Sequence, residues 1–291
     1  DFIAHSFVRK KEDVIEIKKI LEEHKSPIKI IAKIENQQGV DNIDEILDHT
    51  YGVMVARGDL GIEIPAEKIP TIQRRIVKKC IESKKPVIIA TQMLHTMIEH
   101  PRPTRAEISD IANAIYQRAD AIMLSGETAY GAYPIEAVKI MTRVTQEVEV
   151  NLEPDHNQKL VRINNEVTAT LARSAVRASC SLPIKAIVID TLSGRTGRYL
   201  AAFRGKIPVH SMCYKPYVMR QLALSYGISA EYMEPRTTRD HFLTDAISIM
   251  EEKGELSSDD MVIVIGGSFG PRDGASFMEI SQVKNIVKSG K

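Results

Sequence analysis

Five short apolar runs recur through the first half of the chain, and this repetition limits the fold more than any other feature of the sequence. The runs begin near residues 2, 28, 52, 86 and 120, at spacings of 26, 24, 34 and 34 residues. Most are followed by a turn and then by a stretch whose apolar residues recur with a helical period. This rhythm predicts βα units around a parallel sheet covered on both faces. The predicted strands lie in Asp1–Val8, Ile28–Glu35, Gly52–Asp59, Pro86–Met93 and Ala121–Thr128.

The helices between these strands are predicted from their apolar period and from their first residues. Asp13 is placed to cap the first helix, and Thr104 with Glu107 three residues later has the pattern of a capping box. The later helices of this half are predicted at Ala66–Ser83, Arg105–Ala119 and Pro134–Val150.

A polar stretch at 153–158 predicts a linker, and a second series of strands and helices follows it. We therefore place one domain at residues 1–152 and a second, smaller three-layer α/β domain at 153–291. Its predicted strands are Ala186–Asp190, Pro208–Met212, Ala230–Glu234, Met261–Ile265 and a last candidate at Phe277–Val283. Its predicted helices are Asn164–Ser179, Gly197–Phe203, Tyr217–Tyr226 and Arg239–Lys253.

Composition excludes several classes of protein. Lys and Arg total 39 against 38 for Asp and Glu, so the net charge is +1 and the chain has no general attraction for nucleic acid or for a membrane surface. An apolar content of 43% argues against disorder. Cys80, Cys180 and Cys213 are too few for a disulfide framework and lack metal-ligand spacing. With no membrane-spanning run and no signal peptide, we expect a soluble cytoplasmic protein.

Polar residues cluster where the predicted strands of the first half end, which is the edge at which parallel α/β folds bind ligands. Side chains alternate along a strand, so Lys33 and Glu35 point the same way. On an otherwise apolar strand they either pair as a structural ion bridge or face a polar site, and the two residues alone do not decide between these.

Asp59 ends the next strand between two glycines, Gly58 and Gly61. Carboxylates on adjacent parallel strands suit an oxygen-preferring divalent ion, so Asp59 with Glu35 predicts a Mg²⁺ site; the alternative is that Asp59 only caps a helix. If a helical turn begins here, the amides of Gly58 and Asp59 also face an anion. Thr91, at the end of the following strand, adds a hydroxyl of suitable reach.

The second domain contains one comparable segment, from Thr191 to Arg198, which runs from a strand directly into a helix. Its hydroxyls, its glycine, the helix N-terminus and two arginines together predict a phosphate pocket. An ordinary capped turn explains everything in the segment except the arginines. The glycine-rich Gly266–Gly270 follows another strand end and is a candidate for the opposite wall.

These strand ends together resemble the pyruvate kinase family. Six strings stand in the family's order: Ser6–Lys10, Lys33–Asn36, Met54–Gly61, Ala90–Met93, Pro101–Glu107 and Met123–Ala129. The resemblance covers essentially the whole chain and is strongest as far as Val150. It implies a (β/α)₈ barrel with a small β domain inserted after the third strand, and then a C-terminal α/β domain.

The first apolar run resembles the family's fourth barrel strand. The expected fold class is therefore α/β, a partial (β/α)₈ TIM barrel of about strands 4–8 followed by the smaller α/β domain. The opening strands and the inserted lid have no counterpart here, so we interpret the chain as a fragment that is inactive alone.

The resemblance implies glycolytic phosphoryl transfer from phosphoenolpyruvate to ADP, giving pyruvate and ATP. Glu35 and Asp59 would hold Mg²⁺ or Mn²⁺, and Lys33 would be catalytic beside the transferring phosphoryl group. The amides of Gly58 and Asp59 with the Thr91 hydroxyl would bind the substrate carboxylate. Thr91 is also a candidate for delivering the final proton through a water molecule.

The ligands of K⁺ and most ADP contacts are expected in the part of the family that this chain does not match. In the second domain the resemblance makes Thr191, Ser193, Gly194, Arg195 and Thr196 effector-binding residues for a phosphorylated sugar or a nucleotide. It also implies a homotetramer.

Two other functions remain open at this stage. A metal-dependent aldolase or lyase acting on 2-keto acids also places Glu and Asp on Mg²⁺, but it has less need of Lys33 and of the second domain. The second alternative is a non-catalytic remnant of an enzyme that binds a phosphorylated metabolite.

Overall fold

Strands and helices alternate along residues 1–153, 158–236, 238–267 and 274–289, the residues that this computed structural model describes. The strands form two five-stranded sheets. One sheet lies in each of two compact units, Asp1–Glu153 and Pro154–Lys291.

The first unit contains five parallel strands that pair in chain order. They are β1 (Phe2–His5), β2 (Lys29–Ile34), β3 (Gly52–Ala56), β4 (Val87–Ala90) and β5 (Ala121–Ile122). Consecutive parallel strands joined by helices are the arrangement of successive units of a β/α barrel. The prediction of βα units is confirmed.

Helices cover the outer face of this sheet. They are α1 (Lys11–Glu23), α2 (Gln37–Asp41), α3 (Ile43–His49), α4 (Arg57–Glu63), α5 (Ile69–Glu82), α6 (Arg105–Tyr116), α7 (Gly126–Ala129) and α8 (Pro134–Val150). Short 3₁₀ turns lie at Ala66–Lys68 and His95–Ile98. Strand residues of one phase, such as Ile34, Val55 and Ile89, belong to the core shared with the helices. Lys33 has the opposite phase and so faces the inner side of the sheet.

All five strands of this unit end before the last residue predicted for them. The run predicted as Gly52–Asp59 leaves the sheet after Ala56, and the last run forms strand only at Ala121–Ile122. In the last run the buried carboxylate of Glu127 accepts hydrogen bonds from the amides of Ser125 and Leu94, at 2.8 and 3.0 Å. These bonds hold the backbone in a turn, so the chain leaves the sheet.

The helix starts support one capping prediction and correct another. Thr104 accepts a hydrogen bond from the amide of Glu107, whose side chain returns to the Thr104 amide, so the capping box is confirmed. Asp13 is not the cap, because α1 begins two residues before it. Instead, its carboxylate reaches back to accept from the amides of Arg9 and Lys10.

The second unit has the sheet order β10-β9-β6-β7-β8. Its strands are β6 (Ile184–Thr191), β7 (Val209–Cys213), β8 (Ile228–Tyr232), β9 (Met261–Gly267) and β10 (Ala275–Gln282). The last of these runs antiparallel to β9, and the other pairs are parallel. Its helices are α9 (Glu166–Ser181), α10 (Arg195–Ala202), α11 (Pro216–Leu222), α12 (Arg239–Glu252) and α13 (Val283–Ser289).

Alternation along β6 separates two cores in this unit. Ile187 and Ile189 pack with residues of α9 and α10, whereas Ala186 and Val188 pack with residues of α12 and α13. Helices therefore cover both faces of the sheet, and the three-layer arrangement predicted for this half is confirmed.

Among the described residues, no helix combines the length and the apolar character needed to cross a membrane. In the ranges given above, Cys80, Cys180 and Cys213 form no disulfide, and the first and last of them are buried.

Candidate active site

Lys33 and Glu35 meet at the carboxyl end of β2. The Nζ atom of Lys33 lies 2.6 Å from Oε1 of Glu35, and it donates a hydrogen bond to Oγ of Ser6 at 3.0 Å. Glu35 is only 2% exposed. The two side chains point the same way, as strand alternation predicts, and they form an ion pair.

The two oxygens of Glu35 have different surroundings. Oε2 accepts a hydrogen bond from the amide of Phe7 at 2.5 Å, and Phe7 has a left-handed φ of 54° that turns its amide towards the carboxylate. Oε1 contacts the Lys33 ammonium, but within the part of the chain that the structure describes it forms no hydrogen bond of good geometry. A divalent cation in the site would give this oxygen a second positive partner.

Asp59 lies in the first turn of α4, beside Glu35. Burial raises the pKa of the Asp59 carboxyl, and repulsion from Glu35 and a hydrogen bond between the two carboxyls raise it further, while Lys33 acts in the opposite direction. The neighbouring ends of β2 and β3, paired in parallel as far as Ile34 with Val55, bring the two acids together. Lys33 alone does not compensate both negative charges.

Gly58 and Thr91 are bound to each other rather than open to the site. The Gly58 amide donates to Oγ1 of Thr91 at 2.8 Å, and the Thr91 hydroxyl donates to the carbonyl of Ala90 at 2.6 Å. A helix does begin here, as the anion-binding prediction required. The Gly58 amide, however, already has an acceptor.

Thr91 and Gln92 both have positive φ values, 70° and 56°. Non-glycine residues in this region are strained by about 1–3 kcal/mol each and persist where the surroundings hold them. Arg57 provides such support, because its Nη2 donates to the Thr91 carbonyl at 2.6 Å. Its Nη1 contacts both carboxylate oxygens of Asp110, at 2.7 and 2.6 Å.

Sequence reasoning gave Arg57 and Glu127 no role, although both stand in the strings at the strand ends. The signal was clearest for Arg57, a charged residue directly after a buried strand, where it must find partners. The 9% exposure of the Arg57 side chain and the 1% exposure of Glu127 show how fully they do so. Both residues shape the backbone that carries the site.

In the second unit, the segment predicted to bind phosphate joins β6 to α10. Gly194 has a φ of 78°, and its amide donates to Oγ1 of Thr191 at 2.9 Å. Nη1 of Arg198 donates to the Ser193 carbonyl at 3.0 Å. Thr191 is therefore occupied in capping the turn, as the simpler interpretation of this segment expected.

The remaining two predicted residues, Arg195 and Thr196, open α10, and Thr196 is buried. The segment lies where β6 is flanked by β7 on one side and β9 on the other. Chain connections diverge at this position, which is where open α/β sheets bind ligands. The end of β9 is tied to β6 by the Gly267 amide, which donates to Asp190 at 2.9 Å. Residues 268–270 of the predicted opposite wall lie outside the described residues.

Part of a parallel β/α barrel followed by a three-layer α/β domain, with a lysine and two acids at the strand ends, defines the class of this chain. A family model described as pyruvate kinase, barrel domain, matches residues 1–138, and one described as pyruvate kinase, alpha/beta domain, matches residues 169–281. The chain belongs to the pyruvate kinase family.

Individual relatives agree with this assignment. A pyruvate kinase of Borreliella burgdorferi is 46% identical over 99% of this chain and 61% of its own length. One of Geobacillus stearothermophilus is 43% identical over 100% of this chain and 50% of its own length. The crystal structure of a pyruvate kinase from Cryptosporidium parvum superposes with a TM-score of 0.90 at 36% identity, over 97% of this chain and 58% of that one.

The predicted fold class and the resemblance are confirmed by these comparisons. The chain spans between 50% and 61% of the length of these curated relatives.

Proposed function

We propose that this chain is the part of a pyruvate kinase that carries the metal and the substrate phosphoryl group. In the whole protein, phosphoryl would pass from phosphoenolpyruvate to ADP, giving pyruvate and ATP. The observation that carries the proposal is the cluster of Lys33, Glu35 and Asp59, in which two acids lie side by side with one ammonium.

The residues fit the Mg²⁺ or Mn²⁺ that this chemistry uses. Glu35 and Asp59 offer carboxylate oxygens, which such ions prefer, and Glu35 is buried at the end of the strand beside Asp59. Burial and the neighbouring Glu35 raise the pKa of Asp59, so the ionised pair would be stabilised by a further positive charge. When bound, the divalent ion would neutralise phosphate and enolate charge.

Lys33 supplies the fixed positive charge of the site. Its contacts with Glu35 and Ser6 hold the ammonium at the strand end, and its side chain is 24% exposed, so one side remains open to a ligand. A compact ammonium suits phosphoryl oxygens, on which negative charge develops during transfer. We assign Lys33 to stabilising that charge.

The substrate carboxylate would bind at the amides of Gly58 and Asp59 and at Thr91. Because the Gly58 amide and the Thr91 hydroxyl are now bonded to each other, binding requires an exchange of partners. Rotation of the Thr91 side chain frees both groups for the carboxylate. Thr91 is then also placed to act on a proton through water.

For the rest of the molecule we propose the following organisation. Residues 1–152 form the catalytic part, and residues 153–291 form an effector and oligomerisation domain in a cytoplasmic homotetramer. Ligands for K⁺ and most ADP contacts would lie outside this chain. The segment Thr191–Thr196 would bind a phosphorylated sugar or nucleotide, supported by its position at the divergence of chain connections and by the arginines of α10.

The test is formation of pyruvate from phosphoenolpyruvate and ADP, with Mg²⁺ and K⁺ present. Two proteins are compared: this chain, and this chain joined to the portion of the Geobacillus stearothermophilus relative that lies outside the match. We expect turnover only from the joined protein, and its loss in Glu35→Gln. A joined protein that folds, binds Mn²⁺ and still forms no pyruvate would contradict the proposal and would favour the aldolase.

A further inference from the structure

His210, Glu231 and Glu255 come together in the second unit. His210 lies in β7, Glu231 lies in β8, and Glu255 follows α12. One ligand atom of each side chain lies within 4.8 Å of those of the other two. Over the residues that the structure describes, this is the one group of three or more potential metal ligands. We call it the His–Glu–Glu cluster.

Strand register explains how two of the three members, His210 and Glu231, come together. His210 of β7 pairs with Ser229 of β8, and Glu231 stands two residues further along β8. Side chains two residues apart on a strand share a face, so His210 and Glu231 project on the same side of the sheet. Met212, also on this face, packs in the core formed with α12.

A helix ending supplies the third member. Gly254 has a φ of 71°, its amide donates to the Glu251 carbonyl, and the amide of Glu255 donates to the carbonyl of Met250 at 3.0 Å. This is the Schellman pattern, which reverses the chain direction after a helix. It places Glu255 beside His210, with Oε2 at 3.3 Å from Nδ1.

The imidazole of His210 has an unsatisfied nitrogen that faces this cluster. The residue is 7% exposed, and Nδ1 forms no hydrogen bond with any described residue, although Glu255 is near. Burial lowers the pKa of His210, and Lys253 lowers it too, while Glu255 and Glu231 raise it. Nδ1 of His210 and a carboxylate oxygen from each of the two acids therefore lie together as a set of donor atoms that a cation can bind.

We propose that the His–Glu–Glu cluster binds a divalent transition-metal cation, of which Zn²⁺ is the representative. One imidazole nitrogen with two carboxylate oxygens suits Zn²⁺ better than Mg²⁺, which prefers oxygen alone. Ligand atoms about 2.0–2.1 Å from a tetrahedral ion lie about 3.3–3.4 Å from each other. The 3.3 Å between Nδ1 and Glu255 matches such a separation.

Access and charge are consistent with such a site. The side chains of Glu231 and Glu255 are 18% and 38% exposed, so an ion can enter from solvent and keep water in its remaining positions. Lys253 contacts Oε2 of Glu231 and competes with the metal for that carboxylate. Removing the ammonium therefore strengthens binding, whereas removing a ligand weakens it.

The experiment measures Zn²⁺ affinity by competition with a chromogenic chelator, using the full 291-residue chain. Glu35→Gln and Asp59→Asn are included in every sample to remove the acid pair of the first unit. Losing even an outer partner of a metal ligand costs about 10–100-fold in affinity, so His210→Gln is expected to weaken one Zn²⁺ equivalent by at least about tenfold. Glu255→Gln is expected to weaken the same equivalent, and Lys253→Gln to strengthen it.

His24→Gln is the matched control, because His24 is an exposed histidine at the end of α1. It should leave the Zn²⁺ affinity unchanged. The proposal is overturned if His210→Gln and Glu255→Gln bind Zn²⁺ as the parent does, or if His24→Gln weakens binding as much as they do. Should His210→Gln fail to fold by circular dichroism, the more exposed Glu255→Gln and Lys253→Gln decide the question by their opposite effects.

Discussion

Two pairs of acidic side chains in this chain each lie beside a single lysine, and the other groups around the two pairs differ. In the first unit, Glu35 and Asp59 lie beside Lys33. In the second, Glu231 and Glu255 lie beside Lys253, and His210 adds an imidazole nitrogen. Each group holds two carboxylates with a single ammonium, so in each group a further cation would find a negative charge to neutralise.

The difference lies in the donor atoms. The first group offers oxygen alone, which selects hard ions such as Mg²⁺, and the second offers nitrogen as well, which selects Zn²⁺. Their supports differ too, because strand ends and a tight turn build the first, whereas two strands and a helix ending build the second. Donor chemistry therefore distinguishes two sites that charge alone would make equivalent.

The largest expected effect is the loss of turnover when Lys33, the lysine of the first group, is replaced. In the joined protein described above, Lys33→Met is expected to reduce kcat for phosphoryl transfer by about 10²–10³-fold, because it removes charge stabilisation at the reacting phosphate. Binding of phosphoenolpyruvate should be largely retained. Steady-state kinetics and equilibrium binding measure the two quantities, and Lys29→Met, at the other end of β2, is the control. Normal turnover at saturation with weakened binding alone would contradict the assigned role.

The next effect tests ion selectivity directly. Glu35→Gln is expected to weaken Mn²⁺ binding by about 10–100-fold and to leave Zn²⁺ binding at the His–Glu–Glu cluster unchanged. His210→Gln should give the reverse pattern. Electron paramagnetic resonance of free Mn²⁺, together with the chelator assay, follows both ions. If either substitution weakens both ions equally, the two groups are not separate sites.

A smaller effect concerns the helix ending that carries Glu255. Gly254 has no heavy atom within 4 Å of the position where a Cβ would stand, so Gly254→Ala introduces conformational strain without a clash. We expect a loss of about 1 kcal/mol in the free energy of unfolding and weaker Zn²⁺ binding. Urea denaturation measures the first of these. Gly61→Ala is the contrast, because Gly61 also has open space and has no positive φ, and it should cost less.

The smallest effect distinguishes Asp59, an acid beside another acid, from Glu107, an acid held by backbone amides. Although burial raises the pKa of Glu107, hydrogen bonds from the amides of Thr96 and Thr104 outweigh it, so the pKa lies below its usual value. The pKa of Asp59 lies above its usual value. Carboxyl ¹³C NMR titration should show the two groups on opposite sides of the ordinary range, and Mg²⁺ should lower the apparent pKa of Asp59 only.

The pH dependence of the folded state's stability follows from the lowered pKa of Glu107. Because Glu107 has a lowered pKa in the folded state, its contribution is present above pH 4.5, its ordinary pKa, and is lost as pH falls through the folded pKa. Glu107→Gln should remove that dependence. A stability curve in acid that is identical for the two proteins would contradict the role of the capping box.

Much of the fold was predictable because the apolar runs repeat and alternate strongly. The strand ends were less predictable, since the apolar run that begins at Ala121 continues to Leu124 although the strand ends at Ile122. Tertiary hydrogen bonds, such as those to Glu127, decide where a strand stops, and these link residues far apart in sequence.

The same holds for the candidate site. Lys33 and Glu35 were predictable as a pair because strand alternation is local. The mutual bond of Gly58 and Thr91, and the support from Arg57, join successive strand ends and depend on how the chain folds back. The His–Glu–Glu cluster spans three elements of the second unit, so no short sequence motif marks it.

The hydrogen bond between Gly58 and Thr91 has a consequence for measured affinities. An anion that binds the Gly58 amide must displace the Thr91 hydroxyl, which belongs to the protein and always stays near the amide. The measured binding free energy is therefore the difference between two interactions, that of the ligand with the amide and that of the hydroxyl with the amide. A ligand binds tightly only if its interaction with the amide is the stronger one. Ligands of similar size would then be discriminated by how well they displace the protein's own side chain, in addition to how well they fit.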